Sequence, residues 1–266
     1  MSVIRNPIFE LVITLNKYNN IVINDSKFEM LVKNFNSNLR KVFYGTLFIS
    51  NVQKDEIMMS NYGNILKTET VEYMFYKIST TWDLAYQIGN FVVPLPKGTK
   101  SKTKYELLQE EFDKYCESNN LNRIDFRWYK QFSQLRNRIV HGGKNLIVYY
   151  EDKRIKFQIY DNNVDEIIDY NDFYNDGQRS LIFADYYFTY YTILLNNYLY
   201  EFFKFITQKF IENNTEKLCE FAEKENECFI NMWKSIEIND DERFKKLIDE
   251  ININKKQNEK YDFYYR

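Results

Sequence analysis

The chain has few of the residues that interrupt regular structure or build covalent and metal sites. Its 266 residues include only 7 Gly, 3 Pro, 3 Cys and 1 His. So few Gly and Pro argue against a turn-dense sandwich or barrel and favour long helices. Cys116, Cys219 and Cys228 have no Cys-x-x-Cys spacing, which predicts reduced thiols in a cytoplasmic protein and argues against a zinc site.

Targeting and membrane segments are lacking as well. No basic stretch followed by an apolar run stands at the N-terminus, so no secretory signal is expected. The longest stretch without a charge, residues 186–200, is shorter than a bilayer requires, and no membrane partner is predicted. Gly-rich phosphate loops, nucleophilic serine elbows and metal-spaced carboxylates are also missing, so the expected cofactor and metal content is none.

The chain does have abundant apolar residues, with 44% hydrophobic and 18% aromatic side chains, which is enough for a substantial core. Their spacing predicts a mostly α protein. The predicted helices cover about 28–50, 64–92, 105–118, 125–141, 180–213, 216–236 and 240–251. Residues 1–27 form an N-terminal segment that is either a short hairpin or a short helix.

A change of period after residue 141 predicts one β element. Apolar stretches at 146–150 and 155–160 flank a polar turn, the pattern of a β-hairpin, here expected as a small appendage at 145–160. An acidic, Asn-rich linker follows at 161–179. The predicted organisation is therefore a helical domain at 28–213, C-terminal helices at 214–251 and a polar tail at 252–266.

The only histidine lies at the predicted end of the 125–141 helix. That helix has one apolar stripe, formed by Trp128, Phe132, Leu135 and Ile139. Gly142 and Gly143 can adopt the left-handed conformation that closes a helix. His141 would then lie in the last turn, where the carbonyl end of the helix dipole favours a charged imidazole suited to proton transfer or phosphate contact.

Charge is concentrated around this histidine. The whole chain has a net charge of −2, but residues 123–156 contain nine cations and three acids, a net charge of +6. Such a patch beside aromatic rings could hold a phosphate backbone and stack bases. A solvated helix face is the alternative interpretation of the same charges. The cations nearest the histidine, and the candidate RNA-binding residues, are Arg127, Lys130, Arg138 and Lys144.

The six residues from Arg136 to His141 read Arg-Asn-Arg-Ile-Val-His. They resemble the signature of the HEPN family (higher eukaryotes and prokaryotes nucleotide-binding), in which an arginine followed by a polar residue precedes a histidine. The resemblance covers residues 28–213 and implies an α-helical bundle with the motif at the end of a late helix. It further implies kinship with prokaryotic toxin, abortive-infection and antiviral-defence proteins.

The resemblance also implies an activity, metal-independent endoribonuclease cleavage to a 2′,3′-cyclic phosphate. His141 would be the general acid or base, Arg136 would stabilise the charged phosphate, and Asn137 would orient either group. Asp83 on an earlier helix would support the arginine or histidine, or serve only as a capping or surface residue. Gly143 replaces the tyrosine that some toxin members carry, which argues against pairing with a nucleotidyltransferase antitoxin.

Helix geometry adds a constraint on this site. Residues five apart on a helix differ by about 140° in direction, so Arg136 and His141 do not project along one line. Acid–base cleavage also needs two proton-transfer groups, and a symmetric dimer with two apposed helix ends would supply them. A non-catalytic nucleotide- or RNA-binding module and a helical scaffold of a defence complex remain alternatives. An antitoxin or a defence protein is a possible partner.

Overall fold

The computed structural model describes most of the predicted helical region. It covers residues 6–18, 21–51, 61–119, 121, 123, 125, 127–141, 146–151, 154–159, 181–214, 227–237 and 249. The predicted acidic linker, the tail and, apart from Asp249, the helix near 240–251 lie outside these residues.

Seven α-helices dominate the described part of the chain, which confirms the mostly α prediction. They are α1 (Phe9–Lys17), α2 (Ser26–Asn51), α3 (Asn61–Val92), α4 (Lys104–Asn119), α5 (Arg127–His141), α6 (Ala184–Asn213) and α7 (Glu227–Glu237). In the described residues of the N-terminal segment, α1 is followed by a short 3₁₀ turn at Ile21–Asn24, so the helical alternative is the one observed there. Pro94 and Pro96, which lack the donor a helix requires, follow the end of α3.

The predicted hairpin is present but belongs to a larger sheet. Strands β1 (Leu146–Glu151) and β2 (Arg154–Ile159) are antiparallel, and β2 also pairs with β3 (Ile182–Phe183). Phe157 of β2 is fully buried. The expected two-stranded hairpin is therefore part of a small three-stranded sheet, and the buried apolar side chains of β2 have neighbours from elsewhere in the chain.

The chain forms two compact units, each assembled from separated stretches. Unit 1 takes its described residues from Met1–Asn38, Thr80–Lys130 and Leu195–Lys245. Unit 2 takes most of its described residues from Leu39–Ser79 and Gln131–Leu194. The division falls within α2, α3, α5 and α6, so each of these helices contributes residues to both units.

Unit 1 has an aromatic core around Trp82, which is fully buried. The ring centroid of Trp82 lies 4.1 Å from that of Tyr198, 5.1 Å from Phe202 and 5.5 Å from Tyr129. Gly89 allows this packing, because a Cβ atom there would lie 2.7 Å from the Phe202 ring. Edge-to-face rings at these distances add to the hydrophobic stabilisation of the core.

Unit 2 has a second aromatic core around Phe75, also fully buried. Its ring lies 5.1 Å from Phe132 of α5, 5.2 Å from Phe188 of α6 and 5.9 Å from Phe157 of β2. The cluster thus joins three helices and the sheet. Within the described ranges, no helix is both long and apolar enough to cross a membrane.

A half-buried ion pair connects the sheet to α6 in unit 2. Arg154 donates to Asp185 through Nη2 at 2.6 Å and Nε at 3.1 Å. The same guanidinium carbon lies 3.8 Å from the Phe183 ring centroid and 4.1 Å from that of Tyr186. The two rings and the carboxylate together hold Arg154 in place.

We expect Asp185→Asn to lower the free energy of unfolding by about 1–3 kcal/mol, because Arg154 loses its charged acceptor while it stays half-buried against two rings. Glu110→Gln is the control, since Glu110 pairs with Lys102 on an exposed surface and such pairs contribute less than about 1 kcal/mol. Chemical denaturation measures both. Equal losses of unfolding free energy in the two variants would contradict a stabilising role for the pair of Arg154 and Asp185.

Candidate active site

Helix α5 combines an apolar face with several cations. Its 15 residues contain Arg127, Lys130, Arg136 and Arg138 and no acid. The buried face consists of Tyr129, Phe132, Leu135 and Ile139. Tyr129 takes the place that the sequence pattern assigned to Trp128, which is only half-buried. The buried stripe is therefore rotated by one residue at the start of the helix but agrees with the prediction toward its end.

His141 is the last residue of α5, as predicted. The His141 side chain, Gly142 and Gly143 lie outside the described residues, so closure of the helix by the glycines stays a prediction. Asn137 stands one turn before His141. Helical positions four apart share a face, so positions 137 and 141 are neighbours on the surface of α5.

Arg136 is tied to Asn137 by a direct hydrogen bond. The guanidinium Nη1 donates to the Asn137 amide oxygen at 2.7 Å. The Nε atom of Arg136 is buried and has no hydrogen-bond partner in the described part of the chain. This bond holds the guanidinium beside Asn137, which shares a helix face with position 141. The difference of about 140° in direction between positions 136 and 141 therefore separates the two functional groups less than it would without the bond. Arg136 also has a donor in need of an acceptor, because buried polar atoms are rarely left unpaired.

The basic patch is smaller than the sequence count suggests. Arg154 is bound to Asp185, and Arg123 pairs with Glu117. Lys156 is 4% exposed, with its Nζ 5.4 Å from the Phe183 ring centroid. These three cations therefore have contacts within the fold. Helix α5 contains four of the other six, Arg127, Lys130, Arg136 and Arg138. The side chains of Arg127 and Lys130, like all of Lys144 and Lys153, lie outside the described residues.

Asp83 has partners of its own in unit 1. Tyr105 donates its hydroxyl to Asp83 Oδ1 at 3.4 Å, and Lys104 Nζ lies 3.9 Å from the same oxygen. Burial, and then the negative charge of Asp83, raise the pKa of Tyr105 well above its ordinary value. These contacts fit the alternative of a structural surface residue, and support of Arg136 by Asp83 stays a prediction.

Lys67 of unit 2 was not singled out in the sequence. It is 4% exposed, its Nζ lies 5.3 Å from the Tyr150 ring centroid, and burial lowers its pKa. The sequence pattern could have indicated its burial. Lys67 precedes the buried Val71 by four residues and therefore lies on the apolar stripe of α3. A cation placed there is held against the aromatic ring of β1.

Among the described residues, no group of three His, Cys, Asp or Glu side chains could hold a metal ion. No protein-family model, curated protein or solved structure matches the chain. Helix α5 itself offers an arginine and a histidine position near its C-terminal end.

The two faces of α5 should respond differently to truncation. We expect Leu135→Ala to lower the free energy of unfolding by about 2–4 kcal/mol, because it leaves a cavity in the core. Asn137→Ala should change it by no more than about 0.5 kcal/mol, since Asn137 is exposed. Urea denaturation checks both values. A large loss for Asn137→Ala would mean that Asn137 stabilises the fold rather than forming part of a site.

Proposed function

We propose that the chain is a HEPN-like, metal-independent endoribonuclease that acts in the cytoplasm as a toxin or phage-defence effector. The observation that supports this most is the state of Arg136. Its guanidinium is bound to Asn137, its buried Nε lacks an acceptor among the described residues, and its helix ends at His141. A phosphate oxygen is an acceptor that would satisfy the remaining N–H donors of this planar guanidinium.

In the proposed reaction a ribose 2′-oxygen attacks the adjacent phosphorus while its proton passes to a base. The bond from phosphorus to the 5′-oxygen breaks, leaving a 2′,3′-cyclic phosphate, and the departing oxygen receives a proton to become a 5′-hydroxyl. His141 serves as one of the two proton-transfer groups. Arg136 stabilises the negative charge on the non-bridging oxygens, and Asn137 positions the guanidinium.

A dimer completes this site, because the chain has one histidine and the reaction uses two proton transfers. Two α5 ends related by a two-fold axis would place both histidines and both arginines around one phosphate. Neighbouring phosphates would be bound by the candidate RNA-binding cations, Arg127, Lys130, Arg138 and Lys144. An antitoxin or another defence protein would restrain the activity in the host.

Cleavage of total RNA by the purified protein in chelator tests the proposal. We expect His141→Ala and Arg136→Ala each to lower the cleavage rate by about 10²-fold or more. Arg136→Lys should recover only part of the rate, because lysine lacks the planar fork. Lys234→Ala, which removes an exposed cation from α7, is the matched control and should cleave like the wild type. Activity that survives loss of His141 would refute the site.

The shared site predicts that activity depends on protein concentration. We expect light scattering to detect a dimer, and the activity per mole of chain should fall on dilution below its dissociation constant. The fall occurs because a monomer contains one histidine. Full activity in a strict monomer would exclude the two-fold arrangement while leaving the single-chain site open to the substitution test.

The composition of α5, with four cations and no acid, supports a second candidate, an RNA-binding module that does not cleave. Such a helix attracts phosphates whatever the chemistry of His141. The same preparations separate the two functions. Retention of RNA without cleavage, weakened by Arg136→Ala and Arg138→Ala but not by His141→Ala, would favour the module. Neither binding nor cleavage would leave the helical scaffold as the remaining hypothesis.

A further inference from the structure

Lys67 occupies an apolar position on α3 in unit 2. The residue is 4% exposed, and Val71, Phe75 and Ile78 on the same helix stripe are fully buried. Lysine is almost never buried to this extent unless it is paired, because the ammonium group gives up its contact with water. The neighbours of Lys67 therefore decide whether its charge is balanced within the fold.

The described residues place a ring beside this amine and no acid. Lys67 Nζ lies 5.3 Å from the Tyr150 ring centroid. In the ranges that the structure describes, Lys67 has no hydrogen bond and no ion pair with a carboxylate. An aromatic ring attracts an ammonium group but leaves its charge uncancelled. The helix positions three and four residues away, where an intrahelical partner would stand, hold no acid either, being Gly63, Asn64, Thr70 and Val71.

Helix α3 runs along the sheet with its first turns toward the turn between β1 and β2. The Phe75 ring contacts Phe157, whose partner on β1 is Val148. Lys67, eight residues earlier on α3, contacts Tyr150, which lies two residues beyond Val148 on the same face of β1. Tyr150 is only half-buried. The amine of Lys67 therefore lies at the edge of the core, where a solute can reach it.

The amine also lies toward the positive end of a long helix. Helix α3 has 32 residues and begins at Asn61, so Lys67 stands in its second turn. Long side chains on a helix lean toward its N-terminus. The aligned peptide dipoles leave a partial positive charge at that end, which repels a cation and attracts an anion. A buried lysine and a helix N-terminus thus direct positive charge to the same place.

We propose that Lys67 and the N-terminal turn of α3 bind a phosphate group beside Tyr150. A phosphate dianion balances both the ammonium charge and the partial charge of the helix end, and helix N-termini are ready-made phosphate sites. The ring of Tyr150 attracts the ammonium group on one side, and phosphate oxygens accept from its other N–H donors. The site uses α3 and β1 and shares no residue with the proposed catalytic site on α5, so it does not rest on the proposed function.

Thermal unfolding in sodium phosphate, compared with sodium chloride at equal ionic strength, tests the proposal. At a phosphate concentration ten times the dissociation constant, we expect the wild-type Tm to rise by about 3–6 °C. Lys67→Met keeps the apolar stem and should lose this shift, whereas Lys67→Arg should retain most of it. Lys67→Gln is a second uncharged variant should the methionine variant fail to fold. Lys97→Met, which removes an exposed lysine of unit 1, is the matched control and should respond like the wild type.

Arg136→Ala separates this site from the proposed catalytic site, and it should keep the full shift in Tm. Phosphorus NMR then gives the dissociation constants of inorganic phosphate and of adenosine 5′-monophosphate. Equal constants mean that the phosphate alone is bound, and tighter binding of the nucleotide means that its phosphate is the ligand group. No shift in the wild type, a shift that persists without the Lys67 charge, or a shift abolished by Arg136→Ala would overturn the proposal. Failure of RNA cleavage would not.

Discussion

The packing of rings around Phe75 is the interaction on which the orientation of α5 in unit 2 depends. Phe75 meets Phe132 from α5, Tyr187 and Phe188 from α6, and Phe157 from β2. With Phe132 fixed in that cluster and Leu135 fully buried, the opposite face of α5 must point away from the core. Arg136 follows Phe132 by one turn and so lies at the edge of the packed side, in agreement with its buried Nε, whereas Asn137 is exposed.

Arginines of the same unit have different roles because of what surrounds them. Arg154 has a carboxylate at hydrogen-bond distance and two rings in contact with its guanidinium, so its charge is neutralised within the fold. Arg136 has only the neutral amide of Asn137 and a buried Nε without an acceptor among the described residues. A neutral partner orients a guanidinium without cancelling its charge. This difference is why Arg136, and not Arg154, is the residue proposed to bind phosphate.

Long periodic segments were predictable from the sequence, and shorter or long-range features were not. The apolar spacing predicted α2 to α6 closely, and the period change predicted β1 and β2. β3 has two residues, too few to show any period. The pair of Arg154 and Asp185 joins positions 31 apart, so the charge count around His141 included a cation already neutralised. The two units interleave along the chain, which changes in composition cannot reveal.

The position of the candidate site was predictable to the same extent. Amphipathic spacing placed His141 at the end of its helix, and the structure confirms that end. The hydrogen bond between Arg136 and Asn137 was not predictable, because residues adjacent in a helix normally point apart. Side-chain length decides this contact, since the arginine chain can fold back to its neighbour. The catalytic role itself rests on chemistry that neither spacing nor burial can demonstrate.

The central claim is that Arg136 and His141 act on one phosphate, and NMR of the single imidazole tests it most directly. Because the chain has one histidine, its ring C–H signals need no assignment. On titration with a short RNA blocked by a 2′-deoxy sugar, the account predicts that these signals shift in the wild type and in Lys234→Ala, and much less in Arg136→Ala. Imidazole signals that stay unchanged while the RNA binds would contradict the account.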